Sequence, residues 1–296
     1  MKVVIGGANG LIGSELARVL RARGDAVISL VRKPKDPAEV KWDGRTVPPG
    51  ALQGADAAVN LSGASIAARR WSEAYKKEIV DSRVETTRAF VEGMRAVRPR
   101  PRVFVNASAV GAYGGRGDEE LTEDSARGAD FLAGVCKESE AEALRAEELG
   151  VRTVLLRTGV VLARQGGALK QMLPPFKAFV GGPIGTGRQW FPWIHLADEV
   201  GIILWALAGS VSGPVNAVSP NPVRMKDFAQ ALGASLHRPA VFSVPALVLR
   251  LGLGEMAEVL LEGQRAVPRK ALGGGYQFRW GQLDAALRDL VASRPA

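Results

Sequence analysis

The sequence predicts an α/β chain, with a doubly wound parallel sheet and a smaller C-terminal α+β lobe. Three observations carry this. Short apolar β-forming runs alternate with amphipathic helical stretches through the first 160 residues, which requires right-handed crossovers and a parallel sheet. A glycine-rich turn joins the first run to the first helix. From Gly159 onward the texture changes to glycine and proline punctuation, at Gly166-Gly167, Pro174-Pro175, Gly181-Gly182-Pro183 and Gly185-Thr186-Gly187.

Each element has a local reason. The run Val3-Val4-Ile5 is apolar and β-branched, as a parallel strand buried on both faces requires. Gly6-Gly7 turns the chain, and an amphipathic stretch from Leu11 to Arg23 follows, with Gly24 as its C-cap. Ala26 to Val31 reads as the second strand and Val40 to Trp42 as a short third, separated by a loop rich in proline and polar residues. Ala57 to Leu61 is a further buried strand ending in Ser62-Gly63. A long helix is expected from Trp71 to Val97, with Ile79, Val84, Ala89, Phe90 and Met94 on its apolar face. Arg102 to Ala107 gives a strand, Phe131 to Leu149 a helix closed by Gly150, and Val151 to Arg157 another strand. The segment beyond Gly159, up to the next strand, reads as loop-rich. Pro214 to Val218 is placed back in the sheet, followed by a helix from Met225. The apolar segments Gly201 to Ala208 and Val244 to Leu253 read as core helices.

Composition excludes several classes of function. With 296 residues, 47% of them hydrophobic, the chain can bury a full core. No apolar run approaches the ~20 residues needed to cross a bilayer, so no membrane partner is expected. The first strand begins at once, leaving no room for a secretory signal. The single Cys136 excludes an internal disulfide and a thiolate metal cluster, and fits a reducing cytoplasm. With two histidines, His195 and His237, no metal site is expected. The formal net charge of +9 raises the question of nucleic acid. The basic residues are dispersed, however, and the cluster from Arg95 to Arg102 is broken by Ala, Val and Pro. A solvated arginine-rich surface is the expectation, with no nucleic-acid partner.

The glycines carry the first chemical inference. Gly7, Gly10 and Gly13 fall between a strand and a helix, where a tight turn lets backbone N–H groups approach a pyrophosphate. The helix start adds unpaired N–H groups and a positive dipole end. In nicotinamide-binding units of this kind, an acid about 20 residues beyond the glycines binds the ribose 2′-hydroxyl. Here Arg32 and Lys33 stand in that place, and no acid follows until Asp36. A guanidinium is a bidentate donor for phosphate. The expected cofactor is therefore NADP rather than NAD.

Three stretches together resemble the extended short-chain dehydrogenase/reductase superfamily and its Rossmann fold: Gly7-Ala-Asn-Gly10-Leu-Ile-Gly13, Asn60-Leu-Ser-Gly63 and Asn106-Ala-Ser-Ala-Val-Gly-Ala-Tyr-Gly114. Further stretches, among them Asp81-Ser-Arg-Val-Glu-Thr-Thr87, Leu155-Leu-Arg-Thr-Gly159, Gly187-Arg-Gln-Trp190 and Trp193-Ile-His195, narrow the resemblance. The set looks like the atypical NAD(P)-dependent epimerase-like, or cell-division-inhibitor-like, branch. The tail, with Leu253-Gly-Glu-Met256, looks like its small C-terminal domain. The resemblance implies that Gly7, Asn9, Gly10, Leu11 and Ile12 hold the pyrophosphate, and Arg32 and Lys33 the 2′-phosphate. It places Leu61 and Ser62 under the adenosine and ribose, Glu78 and Arg83 toward the cofactor, and Val161 near the nicotinamide. The change of texture divides the chain into a cofactor domain at 1–160, with a returning strand near 214–218, and a substrate lobe at 161–296 whose helical domain starts near 244. The resemblance also brings the expectation of a homodimer.

The superfamily's reactive pair is Tyr-x-x-x-Lys on the helix after the serine-bearing strand, the tyrosine moving the hydroxyl proton while hydride moves to or from the nicotinamide. This chain reads Phe131-Leu-Ala-Gly-Val-Cys-Lys-Glu-Ser-Glu140 there, with no tyrosine. Ser108 is retained, and Tyr113 and Lys137 are the candidates for the missing acid. Cys136 and His195 read as packing. Arg188 reads as a clamp for an anionic or sugar-like substrate. The expected activity is an NADP-dependent oxidoreductase or epimerase acting on a small hydroxyl- or carbonyl-bearing molecule such as a nucleotide sugar. The alternative is an NADPH-binding regulator without turnover.

Overall fold

The computed structural model describes residues 1–292 apart from Pro37 and Pro49. Seven parallel strands form the central sheet: β1 (Lys2–Gly6), β2 (Ala26–Val31), β3 (Glu39–Lys41), β4 (Ala57–Asn60), β5 (Val103–Ala109), β6 (Arg152–Thr158) and β7 (Gly213–Ala217). Their spatial order is β7-β6-β5-β4-β1-β2-β3. The order reverses at β1, which pairs Val3 with Val27 of β2 on one side and with Ala57 of β4 on the other. Val3, Val4 and Ile5 are wholly buried. That explains why the strand is apolar at every position instead of alternating.

Helices cover both faces. On one lie α1 (Leu11–Ala22) and, from later in the chain, the helix Leu196–Ala208. Leu16 and Leu20 of α1 meet Val200, Ile202 and Ile203 over the odd-facing residues of the sheet. On the other lie α2 (Glu73–Ala96) and α3 (Phe131–Leu144), with Phe90, Met94 and Ala143 against Phe104 and Leu155. Ser72 caps α2, its hydroxyl accepting from the Tyr75 N–H at 3.2 Å. The expected helix to Leu149 ends five residues early, giving way to a 3₁₀ turn over Glu147–Leu149 that Gly150 closes at φ 77°.

The second lobe departs from the expected loops. A helix, α4 (Gly167–Lys177), contains Pro174 and Pro175. They supply no N–H to the Lys170 and Gln171 carbonyls, and the helix runs only two residues beyond them, closed by the Ala178 N–H on the Pro174 carbonyl at 3.0 Å. The helix Leu196–Ala208 is α5, and α6 (Met225–Leu236) follows β7. Phe176, Trp193, Phe228 and the C-terminal helix Leu283–Val291 share a separate apolar core. The segment read as a core helix at 244–253 forms α7 (Ala246–Leu253), but none of its residues is buried. Its uniform apolarity suggested burial, and the fold leaves it outside. Among the described residues no helix is long and apolar enough to cross a membrane.

Two buried carboxylates tie the C-terminal segment down. Asp198 on α5 accepts from the Arg279 and Trp280 N–H groups at 2.8 Å each and from the Tyr276 hydroxyl at 3.0 Å. Glu123 accepts from the N–H of Asn216 in β7 and of Lys270, both at 3.1 Å.

Candidate cofactor and substrate cleft

The carboxyl ends of β1, β4, β5 and β6 open on one edge of the sheet, the position where doubly wound folds bind ligands. Gly7 follows β1 at φ 73°, and a Cβ there would sit 2.7 Å from the Leu61 carbonyl oxygen. A Cβ on Gly13 would sit 2.3 Å from the Gly7 oxygen, so α1 starts against the turn. Gly10 is the N-cap and supplies no side chain to the first N–H groups. Asn9 and Gly10 are exposed, and Leu11 and Ile12 are half-buried. The second lobe reaches the same place: a Cβ on Gly167 would lie 3.0 Å from Leu11 Cδ2 and 3.3 Å from the Val161 oxygen. Arg32 and Lys33 follow β2 directly and are exposed.

A cavity of about 140 Å³ lies between the ends of β4 and β5 and helices α2 and α3. Beneath it runs a buried amide and hydroxyl network. Asn60 Nδ2 and Thr87 Oγ1 both donate to Asn106 Oδ1 at 3.0 Å, and Asn106 Nδ2 donates to Ser139 at 3.3 Å. The network fixes the strand ends, with Asn60 Oδ1 also accepting from the Ser62 N–H at 3.1 Å. The Ser62 hydroxyl, on the cavity wall, is buried and unpartnered in the protein. Arg83 lines the cavity from α2. Its Nη1 donates to the Ile79 carbonyl at 3.0 Å, and burial pulls its pKa below the usual guanidinium value.

Ser108 belongs to a charged cluster. Its hydroxyl donates to Glu140 Oε1 at 2.6 Å. Glu140, wholly buried, is held bidentately by Arg157 at 2.9 and 3.0 Å and by Arg127 at 2.5 Å. Burial opposes the charge on Arg157, but the bonds to Glu140 outweigh it and raise its pKa. Because the Ser108 proton is committed to Glu140, its oxygen lone pairs remain free for a ligand. Cys136 Sγ, also on the cavity wall, lies 3.8 Å from the Ala109 oxygen, and burial pushes the thiol pKa up. It is a neutral thiol at neutral pH.

Neither candidate for the missing acid, Tyr113 or Lys137, lines this cavity. Lys137 is exposed. One residue is about 100° of helix rotation, and it is Cys136, not Lys137, that α3 turns inward. Tyr113 is wholly buried under Arg157, its hydroxyl donating to Asn216 Oδ1 at 2.7 Å, and it does not line the cavity. Its pKa is raised, chiefly by burial. Glu78 is also outside, exposed and paired with Arg69. His195 is the N-cap of α5, its Nδ1 accepting from the Ala197 N–H at 3.0 Å. Arg188 lies apart from Ser108, in a second cavity of about 360 Å³ with Trp190, Arg224, Asp118 and Glu262. Glu140, Arg157 and Asn106 were not foreseen as site residues. The first two become legible only as a pair joined across α3 and β6.

This sheet, glycine turn and strand-end cleft define a nucleotide-binding protein of the short-chain dehydrogenase/reductase type. The chain belongs to the NAD dependent epimerase/dehydratase family, which matches residues 3–218. Residues 244–290 match a domain of unknown function, DUF1731. It is similar to epimerase family protein SDR39U1 of Mus musculus, 41% identical over 297 residues that span 99% of this chain and 100% of that one. It is 38% identical over 302 residues to epimerase family protein YfhF of Bacillus subtilis, covering 99% of each. The crystal structure of human SDR39U1 (isoform 2) with NADPH has a TM-score of 0.92 and 39% identity, over 98% of this chain and 99% of that one.

Proposed function

We propose that this chain binds NADP(H) and reduces or oxidises a small carbonyl- or hydroxyl-bearing substrate without a tyrosine acid. The observation that carries the reading is the Arg32-Lys33 pair directly after β2, where an acid would select NAD. The similar human protein, solved with NADPH, supports it. The turn fits the group: a Cβ at Gly7 or Gly13 would strike the Leu61 or Gly7 carbonyl and force the tight turn open, and no side chain caps α1. Gly7, Asn9, Gly10, Leu11, Ile12 and Gly13 hold the pyrophosphate in this reading, Arg32 and Lys33 the 2′-phosphate, and Leu61, Ser62 and Val161 the remainder. Bound there, the nicotinamide supplies or accepts a hydride.

The chain's own groups do the rest. Ser108, oriented by Glu140, accepts a hydrogen bond from a substrate hydroxyl. Arg83 donates to the substrate oxygen and stabilises the alkoxide formed when hydride adds to a carbonyl; water supplies the proton that completes the alcohol, and takes it up in the reverse direction. Residues 1–160 with β7 form the cofactor unit and 161–296 the lobe that closes over it, with Arg188 clamping an anionic or sugar-like substituent in the second cavity. Incubation with NADPH and a panel of carbonyl compounds, followed at 340 nm, tests this. Ser108→Ala should lower turnover about 100-fold, as loss of a positioned transition-state contact does, and Tyr113→Phe should leave it unchanged. Turnover insensitive to Ser108→Ala contradicts the site.

A second reading has its own observation. With Lys137 in solvent and Tyr113 buried, no residue among those described occupies the usual acid's role. A chain that binds NADPH tightly and shows no turnover with any substrate is a cofactor-sensing regulator.

A further inference from the structure

The second lobe carries an apolar surface that the cofactor site does not use. Phe179 and Val180, at the end of α4, are 52% and 54% exposed. Beside them run Val241 and Phe242, 73% and 55% exposed, in a segment whose Phe242 and Val244 N–H groups donate to the Gly181 and Pro183 carbonyls at 3.2 and 3.0 Å. The chain then enters α7, which presents Leu247, Val248 and Leu251, all more than half exposed. Phe179 adopts φ 64°, a left-handed conformation unfavourable for an aromatic residue. That conformation holds its ring outward beneath the Arg238 guanidinium, 4.3 Å from the ring centre. Seven apolar side chains on one adjoining surface exceed the scattered exposure normal for a monomer.

The charge around the patch identifies what covers it. The segments that build it, 167–184 and 237–253, contain no Asp or Glu. They do contain Lys170, Lys177, Arg238 and Arg250. The nearest acids beyond α7, Glu255 and Glu258, are tied to Lys76 and Arg250. With Arg250 paired to Glu258, Lys170, Lys177 and Arg238 leave the rim a net positive charge, which suits a surface that is apolar within and anionic at its edge. A second copy would bring cations against cations across a two-fold interface.

We propose that this face docks the protein on the surface of an anionic lipid bilayer, with Phe179, Phe242 and α7 in the interface and the lysines and arginines at the headgroups. This differs from the sequence expectation of no membrane partner, which rested on the length of apolar runs and so bears on spanning alone. The turn that follows α7 abuts the cofactor lobe through the Lys76–Glu255 ion pair and through Arg70, which packs against Gly254. The docked face therefore lies at the rim where the two lobes meet.

Sedimentation of the full chain with vesicles tests it. The protein should partition at least about tenfold more onto vesicles containing phosphatidylserine than onto pure phosphatidylcholine, and high salt should remove the difference. Leu247→Glu with Leu251→Glu should abolish partitioning while the circular dichroism spectrum and melting temperature stay unchanged. Lys170→Glu with Lys177→Glu, at two exposed positions of α4, should weaken it independently. Equal partitioning onto both vesicles, absence from both, or wild-type partitioning of both double variants would overturn the proposal. So would self-association that Leu251→Glu disrupts in a chain that ignores vesicles.

Discussion

Glu199 shows how much one side chain can depend on its surroundings. It is wholly buried on α5, with Oε1 accepting from the Thr158 hydroxyl at 2.7 Å and Oε2 unpartnered. Burial, only partly opposed by that bond, pushes its pKa up to about 8. The neutral acid is therefore the native form at pH 7. Its contribution to stability is complete below the unfolded carboxyl's pKa near 4.5 and is lost as pH rises toward 8. Glu199→Gln should remove a fall on the order of 1.4 kcal/mol per pH unit across that window, read by urea unfolding at several pH values. Parallel curves for the two proteins would show that the carboxyl ionises without cost. At the same scale, Cys136 and Glu140 show where sequence reading stopped. Lys137 is the obvious basic residue on the helix, and only the rotation of α3 shows that its neighbour faces in. Nothing in the sequence singles out Glu140, because only the fold sets Arg157, 17 residues on, against it.

Among the elements, the strand–turn–helix at the N-terminus was legible nearly to the residue. Every position there answers a local demand: apolar strand, positive φ at Gly7, close approach at Gly13. Helix propensity alone favours Gly13→Ala by about 1 kcal/mol. The Cβ, however, would meet the Gly7 carbonyl at 2.3 Å, and backbone cannot yield as a side-chain tip can. The variant should lose about 1–3 kcal/mol of stability, as overpacked sites do, and its NADPH affinity should fall, as thermal melting and fluorescence titration would record. A stabilised variant with unchanged affinity would show that the turn is looser than described. Elements governed by long-range packing were less legible. Nothing in the apolar run at 246–253 distinguishes a core helix from an exposed one, because that depends on whether a partner element arrives. The proline pair in α4 read as a loop for the same reason.

At the scale of the molecule, the alternation of strands and helices made the doubly wound sheet legible, while the joining of the lobes was not. That joining rests on single buried carboxylates reaching across the chain. Removing Asp198 would leave the Arg279 and Trp280 N–H groups and the Tyr276 hydroxyl without their acceptor. With roughly 1–3 kcal/mol for each unpaired buried group, Asp198→Ala should destabilise the protein by about 3 kcal/mol or more. Hydrogen exchange over 276–290 should rise more than in the central sheet. Uniform exchange across the molecule would mean that the C-terminal segment is not held at this point.

The account stands on the cofactor that the end of β2 selects, and a fluorescence titration of the purified chain with NADPH and NADH measures it. Charge-assisted hydrogen bonds of about 1.5–3 kcal/mol predict an NADPH preference of roughly 10- to 100-fold. Arg32→Asp with Lys33→Ser should abolish that preference. NADH bound as tightly as NADPH, or a preference that survives the double substitution, would contradict it.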